Sequence, residues 1–225
     1  MSKDGAEVPA ETRERILDAA EALFGEVGFD GVSLRDITGR AGANVAAVNY
    51  HFGSKEKLVD AVVVRHAVPI NDRRLRLLLE AEERHGGEAV PVREILEAFL
   101  RPVIEEIMKD PVSQVVFCKF MGRIMSERGY QLPESVKPLF QMMAGRFSKA
   151  LQKARPELSE QTALWRIHFS FGVMSSTLMH GDKLEQISGG RSGMPSMEEM
   201  LEHIIGFCAA GFGAPEPTGG KGRRK

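Results

Sequence analysis

Strand signals are almost absent from this chain: no alternating β-branched run occurs, and no Asn-Gly or Asp-Gly turn joins two such runs. Cysteine is scarce. Cys118 and Cys208 stand alone in apolar helical patterns, with no Cys-x-x-Cys spacing to suggest a metal or redox pair, and are expected as buried free thiols. No apolar run approaches the roughly 20 residues that span a bilayer, which excludes a membrane helix. The N-terminus, MSKDGAEVPAETRER, lacks the apolar core of a signal peptide, so a cytoplasmic location is expected. The formal net charge of −1 argues against a molecule basic throughout. Enzyme signatures are missing too: there is no Gly-x-Ser-x-Gly elbow, no Gly-rich phosphate loop ending in Gly-Lys-Ser/Thr, and no Cys-His pairing. Glu199 and His203 can share a helical face, but His66, His85, His168 and His180 form no ligand cluster, so neither a metal nor another cofactor is expected.

What is present is helical periodicity, with apolar residues recurring at spacings of three and four. At 225 residues, 43% of them hydrophobic, the chain can bury one large core or two modest ones. A first helix is predicted over about 12–27, with Ile16, Ala20, Leu23, Phe24 and Val27 as its apolar stripe and Gly28 at its end. Ser33 and Asp36 have capping-box spacing and open a second short helix to about Arg40, with Leu34, Ile37 and Ala41 inward. Gly42 falls in a turn, and Asn44 caps a third helix whose Val48 and Phe52 return to the same small core. Ser54 caps a fourth, which buries Leu58, Ala61 and Val62 and continues past Pro69, with a bend, to about Arg84. Further helices are predicted at roughly 92–109, 111–127, 133–154, 160–184 and 196–211, with 188–195 a flexible link. The expected fold is all-α: an N-terminal three-helix domain over 1–53, a larger C-terminal helical domain over 54–212 opened by a linking helix at 54–84, and a disordered tail at 213–225.

A second helix, a glycine-containing turn and a third helix with an outward polar face have the helix-turn-helix arrangement, whose third element can lie in a major groove. A compact helical hairpin would have the same outline. The outward residues favour the groove: Ala46 and Ala47 permit close approach, with Val45 they can meet thymine methyl groups, and Asn49 can reach a base edge, adenine being the best partner for an amide. Tyr50, His51 and Lys55 carry donors suited to phosphate oxygens, and the start of the fourth helix adds free backbone N–H groups beside Lys55 and Lys57. Residues 33–57 hold Arg35, Arg40, Lys55 and Lys57 against only Asp36 and Glu56, a small and local basic surface that predicts modest non-specific affinity with a shallow salt dependence.

Over residues 12–58, with Ser33, Ala41-Gly42, Tyr50-His51-Phe52 and Ser54-Lys55-Glu56-Lys57-Leu58, the chain resembles the N-terminal domain of TetR-family transcriptional regulators. The resemblance implies an all-helical homodimer that binds double-stranded DNA at a palindromic operator, usually as a repressor released by a small-molecule effector in the C-terminal domain. Position by position it makes Arg35, Val45, Ala46, Ala47 and Asn49 base readers, and Ser33, Asn44, Tyr50, His51 and Lys55 backbone contacts. Asn49 stands where an aromatic residue is common, and Asn49-Tyr50-His51-Phe52-Gly53-Ser54-Lys55 resembles a subgroup that includes regulators of fatty-acid metabolism.

In the C-terminal half, Trp165, Phe169, Gly172, Val173 and Ser176 lie near one helical face, and Met197, Leu201, Ile204, Ile205 and Cys208 stripe the last helix. Two such helices per subunit can form a four-helix dimer interface, which the resemblance also implies, or can pack internally. Phe117, Met121, Met125, Met143 and Phe147 are soft, large side chains able to line a ligand cavity or fill a core; the resemblance favours a cavity for an apolar ligand, with Arg123, Arg166 and His168 as candidates for its head group.

Overall fold

The computed structural model describes residues 9–109 and 134–216, together with 114, 115, 117, 118, 122 and 132. Its elements are α1 (Pro9–Val27), α2 (Leu34–Ala41), α3 (Val45–His51), α4 (Lys55–Arg84), α5 (Val92–Lys109), α6 (Lys137–Ala154), α7 (Glu160–Ser188) and α8 (Met197–Gly213), and no strand occurs among the described residues. The helix expected over 111–127 lies largely outside them; Gln114, Val115, Phe117, Cys118 and Gly122 have helical backbone. The chain divides into two compact units, residues 1–70 with 105–138, and residues 71–104 with 139–225.

In the first unit Ile16, Ala20 and Phe24 of α1 meet Ile37, Val48, Leu58 and Val62 in a fully buried core. The Phe24 and Phe29 rings lie edge to face, 5.2 Å between centroids. Val27, expected on the inward stripe, is exposed at the C-terminal end of α1. Each short helix is fixed by its own caps. The Ser33 hydroxyl accepts from the Asp36 N–H at 3.2 Å, and the Asp36 carboxylate accepts from the Ser33 N–H at 2.8 Å, the reciprocal pair that the spacing predicts. Gly42 ends α2 at φ 61°, a left-handed geometry in which a side chain is strained, and its N–H donates to the Thr38 carbonyl. Asn44 Oδ1 then accepts from the Ala47 N–H at 2.9 Å to start α3.

The domain boundary expected after residue 53 falls within α4 instead, because the first half of that helix is built into the first unit. Leu58, Val59, Val62 and Val63 are buried. Arg65 reaches Asp18 at 2.6 Å and Glu21 at 3.0 Å, and His66 Nε2 lies 3.0 Å from Glu21, tying α4 to α1. The hydrogen bond from His66, helped by the charges of His66 and Arg65 against the opposing effect of burial, holds the Glu21 carboxyl below its ordinary 4.5. A depressed carboxylate contributes stability above its unfolded-state pKa, and that contribution is lost as pH falls through the folded-state value. Glu21→Gln should therefore cost about 1 kcal/mol near neutral pH and almost nothing near pH 3. Urea midpoints at the two pH values check this; an equal deficit at both would contradict the pairing.

The second unit is built around Leu78, Ile95, Leu96, Leu100, Met143, Phe147, Leu151, Ala163 and Met174, all essentially inaccessible. Helix α7 runs four residues beyond the predicted 184, to Ser188, where Gly189 closes it in the left-handed region, so the link begins at Gly189. Ser159 and Ser196 cap α7 and α8, the latter with a full Ser196/Glu199 box. Arg101 of α5 pairs with Glu198 of α8 at 2.8 Å, and Arg93 pairs with Glu202. The tail expected from Gly213 is anchored in its first residues: Arg166 donates to the carbonyls of Phe212, Ala214 and Pro215, and Ser159 donates to Glu216 at 2.6 Å. Residues 217–225 lie outside the described residues.

Candidate nucleic-acid interface

Helix α3 is seven residues long, and one side of it is spent on the core through Val48, which has no exposure. The other side is open: Val45, Ala46 and Asn49 are exposed, Ala47 is half-buried, and Tyr50 is 80% exposed. A hydrophobic position every third or fourth residue leaves, on so short a helix, a narrow strip of small and amide side chains that the described residues leave uncovered. Arg35 is exposed on α2, which precedes the turn.

The sides of the strip carry the donors. Tyr50 and His51 stand edge to face with ring centroids 5.0 Å apart, and Lys55, half-buried, opens α4. A cleft of ≈ 560 Å³ is lined by Thr12, Arg15, Gly42, Ala43, Asn44, Ala47, Tyr50 and His51. It gathers four expected residues, Asn44, Ala47, Tyr50 and His51, and adds Thr12 and Arg15 from α1. Neither of these two was singled out from the sequence; the clue was Arg13 and Arg15 in an otherwise acidic stretch. Arg15 Nε donates to the Ala41 carbonyl at 3.2 Å, which holds its guanidinium beside the turn, and the Arg13 guanidinium lies 5.2 Å from the Phe52 ring centroid.

One expected contact needs correction. The Ser33 hydroxyl donates its proton to Asp36 Oδ2 at 2.6 Å and its backbone N–H goes to the same carboxylate, so both donors are committed and Ser33 serves as a helix cap. Those bonds hold the Asp36 carboxyl below its ordinary value, keeping an anion at a place where a phosphate would be repelled. Asn44 also caps, but only through Oδ1, which leaves its NH2 group to offer.

Among the C-terminal candidates, Met121, Arg123 and Met125 lie outside the described residues. Phe117 is half-buried in the first unit, whereas Met143 and Phe147 are fully buried in the second. Arg166 is committed to the carbonyls at the end of α8 and beyond, and His168 is exposed, its ring 5.7 Å from that of Trp165. The two dimer stripes also separate. Trp165, Phe169 and Ser176 are exposed on α7, with Gly172 and Val173 half-buried between them, and the Trp165 and Phe169 rings stack at 5.7 Å. On α8, Leu201, Ile204, Ile205 and Cys208 are buried by their own chain, so they form core and not interface; Met197 is half-buried. The large apolar side chain exposed on α8 is Phe207, 70% exposed, recognisable in the sequence as the aromatic that falls off the helix's apolar stripe.

Residues 16–62 match the family described as bacterial regulatory proteins, tetR family, and residues 97–211 match the tetracyclin repressor-like, C-terminal domain. The HTH-type transcriptional regulator AcrR of Shigella flexneri is 29% identical over 127 residues, 55% of this chain and 57% of that protein. The HTH-type transcriptional dual regulator CecR of the same organism is 32% identical over 117 residues, 50% of this chain and 51% of that protein. The chain thus spans about half the length of these relatives. The crystal structure of HlyIIR, a hemolysin II transcriptional regulator, shares the fold with a TM-score of 0.57 at 22% identity, over 89% of this chain and 98% of that one. With both of its parts matched, this chain belongs to the TetR family of bacterial regulatory proteins.

Proposed function

We propose that this protein is a homodimeric DNA-binding transcriptional regulator of the cytoplasm, a repressor released from a palindromic operator when a small ligand binds its second unit. The observation that carries the proposal is the open strip on α3, small and amide-bearing, with Val48 alone turned to the core. Val45, Ala46, Ala47 and Asn49 read base edges, helped by Arg35, while Asn44, Tyr50, His51 and Lys55 hold phosphates, joined by Thr12 and Arg15 from the cleft. Dimerisation uses the exposed aromatic face of α7, Trp165 and Phe169, with Phe207 of α8. Because α4 contributes residues to both units, a ligand that displaces it changes the separation of the two reading heads, which must match one duplex turn or a multiple.

The test is a selection of bound duplexes from a randomised pool, run with the native chain and with Asn49→Ala. One position in each half-site should lose its preference in the variant, by roughly 1–3 kcal/mol per bidentate contact. An unchanged preference would remove base readout by Asn49.

A further inference from the structure

Arg74 is a charge that DNA reading does not use. It lies on the buried stripe of α4, in line with Asn71, Leu78 and Ala81, and is 3% exposed in the second unit. Its Nε donates to the Phe99 carbonyl at 2.7 Å, one Nη donates to Asn71 Oδ1 at 3.0 Å, and the guanidinium carbon sits 4.3 Å from the centre of the Phe99 ring. The first of these bonds has a structural reason. Pro102, inside α5, has no N–H to offer the Ala98 carbonyl one turn earlier, and the adjoining Phe99 carbonyl accepts from Arg74. The other Nη does not: it is buried and has no hydrogen-bond partner. Among the described residues no carboxylate pairs with the group; burial lowers its pKa to about 9, which leaves it cationic at neutral pH. An unpaired buried cation is among the most costly groups a core can hold, and it becomes favourable when an anion completes it.

The surroundings are aromatic and soft. The Phe99 ring is 5.1 Å from Phe147 and 6.4 Å from Phe171. One turn beyond Phe171, the Ser175 hydroxyl is also buried without a partner. Met143 shares a face with Phe147 and Met174 with Phe171; both methionines are buried, and unbranched thioethers can yield space. One cation balances one negative charge, so a monoanion fits where a dianion would leave a net buried charge.

We propose that the second unit binds an organic carboxylate, a single carboxyl group on an apolar body, with the carboxylate paired to the unsatisfied Nη of Arg74 and the body against Phe99, Phe147 and Phe171. The assignment rests on the reading of this unit as the effector-binding one, and names the effector's chemical class.

Titration calorimetry on the full chain tests it with decanoate and 3-phenylpropionate against their neutral counterparts, decan-1-ol and 3-phenylpropan-1-ol. At least one carboxylate should bind at least about tenfold tighter than its alcohol, as a charge-assisted hydrogen bond implies. Arg74→Met should remove that preference, weakening the carboxylate by about 10- to 100-fold and leaving the alcohol unchanged. Should Arg74→Met fail to fold, Arg74→Lys keeps the charge without the planar fork and should retain a reduced preference. Equal binding of acid and alcohol by the native chain, binding of neither, or a carboxylate affinity untouched by the Arg74 variant overturns the proposal. Duplex selection on the same preparation separates the two readings: DNA binding without carboxylate binding ends this inference and leaves the regulator, whereas no selected duplex ends the regulator whatever the titration shows.

Discussion

Phe169→Asp should convert the protein from a dimer to a monomer at micromolar concentration and cost operator affinity by about a thousandfold, while its thermal midpoint stays within a few degrees. Phe169 is 58% exposed and stacked on Trp165, so the isolated chain loses little when the ring is replaced. In a two-fold dimer the same change buries an unpaired carboxylate on each subunit, and each such burial costs several kcal/mol. Without the dimer, each reading head binds alone and forfeits the effective concentration that its twin supplies. Sedimentation equilibrium and fluorescence anisotropy with a selected duplex measure the two effects. A variant that still sediments as a dimer would mean that the aromatic face of α7 is not the interface.

Ala46→Glu should abolish binding to every duplex, by at least about a hundredfold, without disturbing the fold. Ala46 is exposed on α3, and Glu is a good helix former, so stability should change by no more than about 0.5 kcal/mol. In a groove the same side chain brings a carboxylate among phosphates and obstructs an approach that only small residues permit. Gel retardation at low salt, where non-specific contacts are strongest, is the sensitive assay. Binding within threefold of the native chain would place the reading surface elsewhere.

How much of this was legible in the sequence divides by range of interaction. Caps act within four residues, so Ser33 and Asn44 announce helix starts that the structure reproduces. Val48 was legible as core because its helix is short and Phe52 repeats it four residues on. Periodicity reveals that a face is apolar but not what covers it. Leu201, Ile204, Ile205 and Cys208 looked like half of an interface, yet they pack within their own chain and leave Phe207 outside. Arg166 looked like a head-group ligand because its partners, the Phe212 to Pro215 carbonyls, lie 46 to 49 residues away. Arg74 was not singled out in the sequence, because the stripe of Asn71, Leu78 and Ala81 that buries it is known only from the structure. Its meaning depended on which carbonyl and which ring came to meet it, and no local pattern carries that.

The most direct measurement is methylation interference at guanine N7 on a duplex selected by the native protein. If α3 enters the major groove and two heads act together, methylation should block binding in two patches, centred about 10 base pairs or a multiple apart and on one side of the helix. Interference confined to one patch, or none in the major groove while binding persists, would contradict an α3 that reads bases in pairs.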